Sequence, residues 1–185
     1  SLPGAAPQLA TDGGNLPAVV QALEQGDPAR LAAWLAHVRV ALPELAGLGT
    51  MEANGLRRLW LRYAGGLEIP AEQAAEGTLR LLALTALAYG PSGEGVWMVE
   101  APEQGLHPLA LEPVMQALQS LYGAQVVVTT YAPGVVGMVD PACVLLFGRD
   151  GVGATTIIPA AEHERVKAAQ GAVNLGTLYA AGALG

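Results

Sequence analysis

A carboxylate at the end of an apolar stretch is the clearest chemical feature of the sequence. Glu100 directly follows the apolar residues 96–99, which have the composition of a short strand buried in a parallel sheet. Ligand-binding groups of open α/β sheets lie at the carboxyl ends of the strands, and a carboxylate suits Mg²⁺, a hard cation that prefers oxygen. A second interpretation stays open on spacing alone, in which Glu100 caps a neighbouring loop and His107 simply precedes a helix.

The other reactive side chains form no recognisable metal or nucleophile motif. The three histidines and one cysteine lack metal-ligand spacing, and no G-x-S-x-G nucleophile elbow occurs. His37 and His163 fall on predicted helices, where we expect them at the surface or its rim. Cys143 is expected to be a small core residue within a strand. Glu103 is interpreted either as a structural residue or as one that supports the site or a dimer contact.

The few basic residues of the sequence argue against two ways of binding phosphate, a phosphate-cradling loop and nonspecific nucleic-acid binding. The single lysine, Lys167, follows Arg165 and Val166 rather than a glycine, so the loop G-x-x-x-x-G-K-[ST] does not occur. The net charge of −7 provides no basic surface for nonspecific binding to a nucleic-acid backbone. The 185 residues are 52% hydrophobic and 14% charged, which is typical of a globular domain with a substantial core.

Two features bear on where the protein acts. One cysteine cannot form an internal disulfide, which fits a reducing compartment. The longest apolar run, residues 81–89, is shorter than the ~20 residues that cross a bilayer, and no basic-then-apolar signal is present at the start. We therefore expect a cytoplasmic protein that makes no contact with a membrane.

Hydrophobic periodicity and turn signals predict alternating helices and strands. Asn54 and Gly55 form the dipeptide best suited to a tight hairpin turn. The predicted helices are residues 15–24, 28–40, 76–89, 108–122 and 160–170. The predicted strands are residues 59–63, 96–99, 125–130, 143–147 and 154–158, with a last apolar segment at 175–184. This order predicts an α/β fold with a mostly parallel sheet and an antiparallel edge hairpin.

Helix ends carry their own signals. Asn15 and Asp27 are predicted N-caps, and Pro28 suits the first helical position. Pro113 lies well inside the predicted helix 108–122, so we expect a kink or a late start there. Residues 1–14 are rich in glycine, proline and alanine and are interpreted as a loop or a chain end.

Three segments, in order, resemble the motifs of ABC-type ATPases related to RecF, SMC and the OLD-family proteins. Residues 96–108 resemble the Walker B segment, residues 69–84 the signature segment with its apolar helix, and residues 125–133 the switch segment. Residues 12–16 and 175–179 are also similar to family landmarks. The resemblance extends over nearly all of the chain from Asp12, and it implies the C-terminal part of a P-loop NTPase fold.

The resemblance implies specific roles for three residues. In the family the first Walker B carboxylate holds Mg²⁺, which is the position of Glu100. Gly77 and Thr78 keep the turn and helix start of the signature segment, whose N–H groups could face an anion. Glu100 is therefore the expected metal ligand, and Gly77 and Thr78 are the expected nucleotide contacts.

Three other positions depart from the family pattern. Ala101 stands where the family has its catalytic Glu, Ala75 replaces the signature Ser, and Tyr131 replaces the switch His. A positioned general base contributes ~10²–10⁴-fold in rate, so we expect little or no ATP hydrolysis by this chain alone. Tyr131 can still donate one hydrogen bond, but it cannot shuttle protons near neutral pH as His can.

Domain organisation and partners follow from the same resemblance. Residues 15–68 are expected to end an inserted helical and hairpin region, and residues 69–185 to form the C-terminal ATPase lobe, within a single compact domain. ATP and Mg²⁺ are the cofactors of the family, with a Walker A half expected upstream, and neither is expected to bind tightly to this chain alone. The expected partners are a second copy or a related ATPase, with an indirect link to nucleic acid in DNA repair or defence. The alternatives are a non-catalytic dimerisation or regulatory module and, with less support from the signature, the nucleotide-binding half of a transporter.

Overall fold

The computed structural model describes residues 8–91, 94–169 and 171–184. The chain divides into two compact units, one running to Val128 and the other beginning at Thr129. The sequence-based domain boundaries, after residues 14 and 68, differ from the boundary between these two compact units. The sequence-based division therefore stays a prediction. The expectation for residues 1–7, part of the predicted loop, lies outside the described residues.

The first unit opens with two helices packed on an antiparallel sheet. The helices are α1 (Leu16–Gly26) and α2 (Pro28–Val38). The sheet consists of β1 (Leu45–Ala53), β2 (Leu56–Tyr63) and β3 (Glu68–Pro70), in that order. Alternate residues of β2 are buried, which is the period-2 pattern of a strand with one face on a core. The largest fully buried side chains of this region are Val19, Val20, Trp34, Val38, Leu45, Leu59 and Leu61.

Local turn and cap chemistry explains the boundaries of these elements. Asn54 and Gly55 have φ angles of 54° and 71°, as the predicted hairpin turn between β1 and β2 requires. The Asp27 carboxylate accepts a hydrogen bond from the Arg30 N–H at 3.0 Å, which confirms the predicted cap of α2. Asn15 lies at the start of α1 but does not cap it, because its side chain bonds to the backbone of Ala10 and Gln8 instead.

The rest of the first unit is an α/β arrangement. It comprises α3 (Glu76–Tyr89), β4 (Gly95–Glu100), α4 (Pro108–Gln119) and β5 (Ala124–Thr129), with β4 and β5 paired in parallel. Helix α3 has the predicted bounds. It is attached to α2 by a buried hydrogen bond from the Trp34 indole N–H to the Thr85 hydroxyl, at 2.8 Å.

The β4–β5 pair differs from the sequence prediction in its burial. The apolar run before Glu100 was expected to be buried, yet Val96 is 61% and Met98 78% exposed. Trp97 and Val99, which point to the opposite face, are half-buried. The prediction was wrong for one face of β4 because a run of apolar residues cannot tell a strand covered on both faces from one covered on a single face.

Helix α4 contains Pro113 without starting late. The helix begins at Pro108 and runs through Pro113, which is buried, so the late start is wrong. Proline at the first helical position is favourable because it has no N–H to satisfy there. The His107 ring caps the helix by accepting a hydrogen bond from the Leu109 N–H at 3.2 Å, which agrees with the structural interpretation of that histidine.

The second unit combines an antiparallel hairpin with short helices. Its elements are α5 (Pro133–Val136), β6 (Leu145–Arg149), β7 (Thr155–Pro159), α6 (Glu164–Ala169) and α7 (Leu175–Ala180). Strands β6 and β7 pair in register from Leu145–Pro159 to Arg149–Thr155. A small core of Val136, Ala160, Leu175 and Leu184 holds the unit together, with Leu146 and Val144 packed against it.

Several predictions for the second unit were off by a few residues. Cys143 is exposed in a 3₁₀ turn, not buried in a strand, because Pro141 starts that turn and Asp140 caps it. The predicted helix 160–170 is a 3₁₀ turn followed by α6, and Gln170 lies outside the described residues. The α/β class, with a parallel pair and antiparallel hairpins, is confirmed. Within the described ranges no helix is long and apolar enough to cross a membrane.

Candidate functional site

Glu100 is one of the residues that line a cavity in the first unit. It is the last residue of β4 and is exposed. The cavity has a volume of about 630 Å³ and is walled by apolar side chains of α1, α3 and β4. Arg58, Glu76 and Arg80 add charged groups to the same wall. Glu100 thus supplies an exposed carboxylate to this cleft.

Ala101 adopts a backbone conformation that is uncommon for any residue but glycine. Its φ angle is +43°, and the left-handed region costs a non-glycine residue about 1–2 kcal/mol. Its carbonyl accepts hydrogen bonds from the Arg80 Nη2 and from the Gln104 N–H, both at 3.0 Å. These two donors hold the chain in a tight turn directly after Glu100.

Gly77 makes a close backbone contact with the loop that follows Glu100. It is the second residue of α3, and a Cβ at this position would lie 2.5 Å from the carbonyl oxygen of Gly105. Any side chain would therefore push the loop away. The glycine of the signature segment is required here for packing, whether or not it also contacts a nucleotide.

The start of α3 lacks a side-chain cap. Ala75 is the N-cap residue and is exposed, but it has no oxygen to accept a hydrogen bond from the first turn. The Thr78 N–H donates to the Ala75 carbonyl at 3.0 Å, so an anion at this helix start would compete with that bond. Ala75, Gly77 and Thr78 line a second cavity of about 250 Å³ together with His107. Ala75, Gly77 and Thr78 therefore line a different cavity from Glu100, whereas Glu76 and Arg80 of the same segment line the Glu100 cavity.

Tyr131 belongs to the second unit, where it is 89% exposed in the loop after β5. The preceding Thr130 hydroxyl accepts a hydrogen bond from the Ala132 N–H at 2.9 Å, which closes a short turn around Tyr131. The phenol is thus carried on an ordered loop and is open to solvent.

The sequence predicts His37 at the surface or its rim, and the structure agrees with a rim position. His37 is half-buried on α2, and its Nδ1 lies 3.0 Å from the Tyr89 hydroxyl. Burial lowers the pKa of His37 below its usual value, although the nearby Gln116 side chain and Pro113 backbone act in the opposite direction. Burial also raises the pKa of the Tyr89 hydroxyl. The polar partner on α3 explains why a histidine is tolerated at this helix contact.

Metal binding by protein groups alone is not supported. Among the residues that the structure describes, no group of three or more His, Cys, Asp or Glu side chains is arranged to hold a metal ion. Mg²⁺ is commonly bound by one or two carboxylates together with substrate phosphates, so a single exposed Glu100 fits that mode.

Two residues of the site were missed by sequence reasoning. Arg80 is the one charged residue in the otherwise apolar stretch from Leu79 to the end of α3, and that isolation was the available signal. Gly105 has a φ of +69° and supplies the carbonyl against Gly77. No local pattern indicated this contact, because it joins residues from two separate segments.

Comparisons with known proteins agree with this architecture. The family described as "AAA domain, putative AbiEii toxin, Type IV TA system" matches residues 3–136, which is more than half of the chain. No curated protein matches the sequence. A solved structure reported under "Structural biochemistry of ATP-driven dimerization and DNA stimulated activation of SMC ATPases" aligns with a TM-score of 0.56 at 13% identity. That alignment covers 82% of this chain and 95% of the SMC chain, and it shows a shared fold. The chain therefore belongs to this AAA-domain family and has an ABC-type, P-loop NTPase-like fold.

Proposed function

We propose that this chain is part of an ATPase in which Glu100 binds the Mg²⁺ of a Mg²⁺·ATP complex. In the same proposal Ala75, Gly77 and Thr78 contact a second nucleotide, which is bound by a paired subunit. The observation that carries the proposal is the exposed carboxylate of Glu100, which stands at the end of β4 and lines a cavity of about 630 Å³. The family match supports ATP and Mg²⁺ as the ligands.

The residues present fit Mg²⁺·ATP only in part. Glu100 can supply the one carboxylate that Mg²⁺ needs when phosphates provide further oxygens. The phosphate-cradling loop does not occur in this sequence, because its single lysine does not follow a glycine as the motif requires. Tight binding therefore requires a Walker A segment, which we place upstream of these residues.

Hydrolysis is proposed to be weak or absent. Ala101 has no carboxylate to polarise a water molecule, and Ala75 has no hydroxyl for a phosphate. Tyr131 offers a phenol in place of an imidazole. Phosphoryl transfer depends on positioned groups of this kind, and losses within one catalytic unit are not additive.

Pairing of two copies, or with a related ATPase, is proposed for the same site. The SMC study concerns ATP-driven dimerization and DNA-stimulated activation of those proteins. In this proposal Glu100 serves one nucleotide, and Ala75, Gly77 and Thr78, which line another cavity, serve a second. We extend the proposal to a cytoplasmic role in DNA repair or defence.

Nucleotide binding is the first test. Because these residues alone are expected to bind ATP weakly, a fluorescent ATP analogue is titrated to high concentration into the protein with Mg²⁺ and with EDTA, using wild type and Glu100→Gln. We expect Mg²⁺ to strengthen binding in wild type and to have little effect in Glu100→Gln. Glu100→Gln is a fair comparison because the side chain is exposed. Equal Mg²⁺ dependence in both proteins would show that Glu100 is not the metal ligand.

Turnover is the second test. ATP hydrolysis by wild type is compared with Glu100→Ala and with Ala101→Glu, which returns a carboxylate to the position of the general base. We expect wild type to match Glu100→Ala. Hydrolysis by wild type clearly above that control would contradict the proposed loss of activity.

A non-catalytic dimerisation or regulatory module is the second candidate. The three departures at Ala75, Ala101 and Tyr131 favour it, as does the exposed apolar face at Val96 and Met98. Molar mass in solution, measured with and without Mg²⁺·ATP, separates the two functions. ATP-dependent pairing supports the first function, whereas pairing that ignores ATP and persists in Glu100→Gln supports the module.

A further inference from the structure

Two residues at the start of α3 contact backbone carbonyl groups of the loop after β4. Gly77 lies against the Gly105 carbonyl, and the Arg80 guanidinium donates to the Ala101 carbonyl. One turn of helix separates Gly77 from Arg80, so both contacts come from the same face. The loop 101–105 is thus attached to α3 at both of its ends.

Arg80 keeps this contact although its position carries an energetic cost. It is half-buried, and its Nε is buried with no hydrogen-bond partner in the described part of the chain. A buried donor without a partner is unfavourable, so the position of the guanidinium is retained through its other contacts. The bond from Nη2 to Ala101 is a charge-assisted one and is stronger than a neutral hydrogen bond.

The acceptor of this bond is the residue with the uncommon backbone angle. Ala101 has φ +43°, which an alanine does not adopt without support. The same carbonyl also accepts the Gln104 N–H, so the turn and the Arg80 bond share one atom. The direction in which the chain leaves Glu100 depends on this turn.

We propose that Arg80 is a positioning residue that holds Ala101 in the left-handed conformation and thereby fixes how Glu100 is presented to the metal. The role of Glu100 in this statement rests on the proposed function. Arg80 acts through the backbone of Ala101 and so connects α3 to the Glu100 carboxylate.

Hydrogen exchange of the Gln104 amide measures the turn directly, without any nucleotide. Arg80→Ala should speed exchange at Gln104 by about tenfold, the effect of losing a charge-assisted bond. Arg80→Lys keeps one donor and should have a smaller effect, and it serves if Arg80→Ala does not fold. The matched control is Arg30→Ala, which removes an arginine Nη2 bond of the same 3.0 Å length to the Ala88 carbonyl, at the other end of α3. If the Arg80 variants change Gln104 exchange no more than Arg30→Ala does, the proposal is wrong.

A second variant tests the reason for the effect. Glycine adopts positive φ readily, so Ala101→Gly should remove much of the need for Arg80. We expect exchange at Gln104 in Arg80→Ala/Ala101→Gly to return to within about threefold of wild type. Exchange as fast as in Arg80→Ala alone would show that Arg80 does not act through the conformation of Ala101.

Mn²⁺ together with ATP, whose phosphates supply the further oxygens, is the probe for the carboxylate. Paramagnetic broadening of the amides around Glu100 is followed in wild type, Glu100→Gln and Arg80→Ala. We expect broadening in wild type, none in Glu100→Gln, and an apparent Kd at least threefold weaker in Arg80→Ala. Wild-type affinity in Arg80→Ala would overturn the positioning role. Broadening that survives in Glu100→Gln would instead contradict the proposed function, while the exchange data would still decide whether Arg80 holds the turn.

Discussion

The two sheets of the first unit are built from similarly apolar strands but are covered differently. Leu45, Leu59 and Leu61 of the antiparallel sheet are at most 2% exposed, beneath α1 and α2. Val96 and Met98 of the parallel β4–β5 pair are 61% and 78% exposed. The first sheet is stabilised by burial within the unit, whereas the region around β4 owes its geometry to backbone contacts with α3.

This difference separates stability from site geometry. Changes at Leu45 or Leu61, which are buried in the antiparallel sheet and do not line the Glu100 cavity, should alter the free energy of unfolding strongly and leave the site alone. Changes around β4 and the start of α3 should have smaller effects on stability, of either sign, because they act on backbone fit and helix capping.

The largest effect is expected from Leu61→Ala. Removing a fully buried leucine leaves a cavity and should lower the free energy of unfolding by ~2–5 kcal/mol. Met98→Ala on β4 should change it by less than about 0.5 kcal/mol, because that side chain is mostly exposed. Urea denaturation of both variants gives the comparison, and similar losses would mean that the face of β4 is covered in solution.

Gly77→Ala should come next. Alanine normally stabilises a helix relative to glycine, but here its Cβ would lie 2.5 Å from the Gly105 carbonyl. We expect a loss of ~1–3 kcal/mol from the forced displacement of the loop. Gly26→Ala, at the end of α1 with no atom within 4 Å of the added carbon, should be neutral or slightly stabilising. Thermal unfolding distinguishes the two, and a stabilised Gly77→Ala would mean that the loop is free to move.

A smaller gain is expected from Ala75→Ser. The serine hydroxyl can accept a hydrogen bond from the first turn of α3, which now has no side-chain cap, and should add ~0.5–1.5 kcal/mol. Ala75→Val provides no acceptor at the same exposed position and should give no gain. Chemical denaturation measures the stability of both variants. Equal stability would contradict the interpretation that α3 lacks a side-chain cap that serine can provide.

The smallest effect concerns pH and the α2–α3 contact. The pKa of His37 is lower in the folded protein than in the unfolded chain, so the unfolded state binds more protons between the two values. The contribution of His37 to stability is therefore complete above about pH 6.5 and declines as the pH falls toward the folded pKa. Urea midpoints at pH 7.5 and pH 5.5 should differ less in His37→Gln than in wild type. An unchanged difference would assign the pH dependence to other groups.

Some residues of the candidate site could be identified from the sequence, and others could not. Glu100, Ala101 and Tyr131 were identified by resemblance to ordered motifs, and their roles remain proposals. Arg80 and Gly105 were not identified, because their importance depends on which backbone atoms they meet. The sequence predicted His37 at the surface or its rim but could not indicate its partner Tyr89, which lies on another helix.

The sequence by itself determined the features that depend on neighbouring residues. The hairpin turn at Asn54 and Gly55, the cap at Asp27 and the bounds of α3 follow from local backbone preferences and from short-range periodicity. Only the tertiary structure decided which face of β4 is covered and why Gly77 must be glycine. It also decided where Arg80 bonds. These depend on contacts between segments distant in the chain, and the free energy of such contacts comes from atoms that no local pattern specifies.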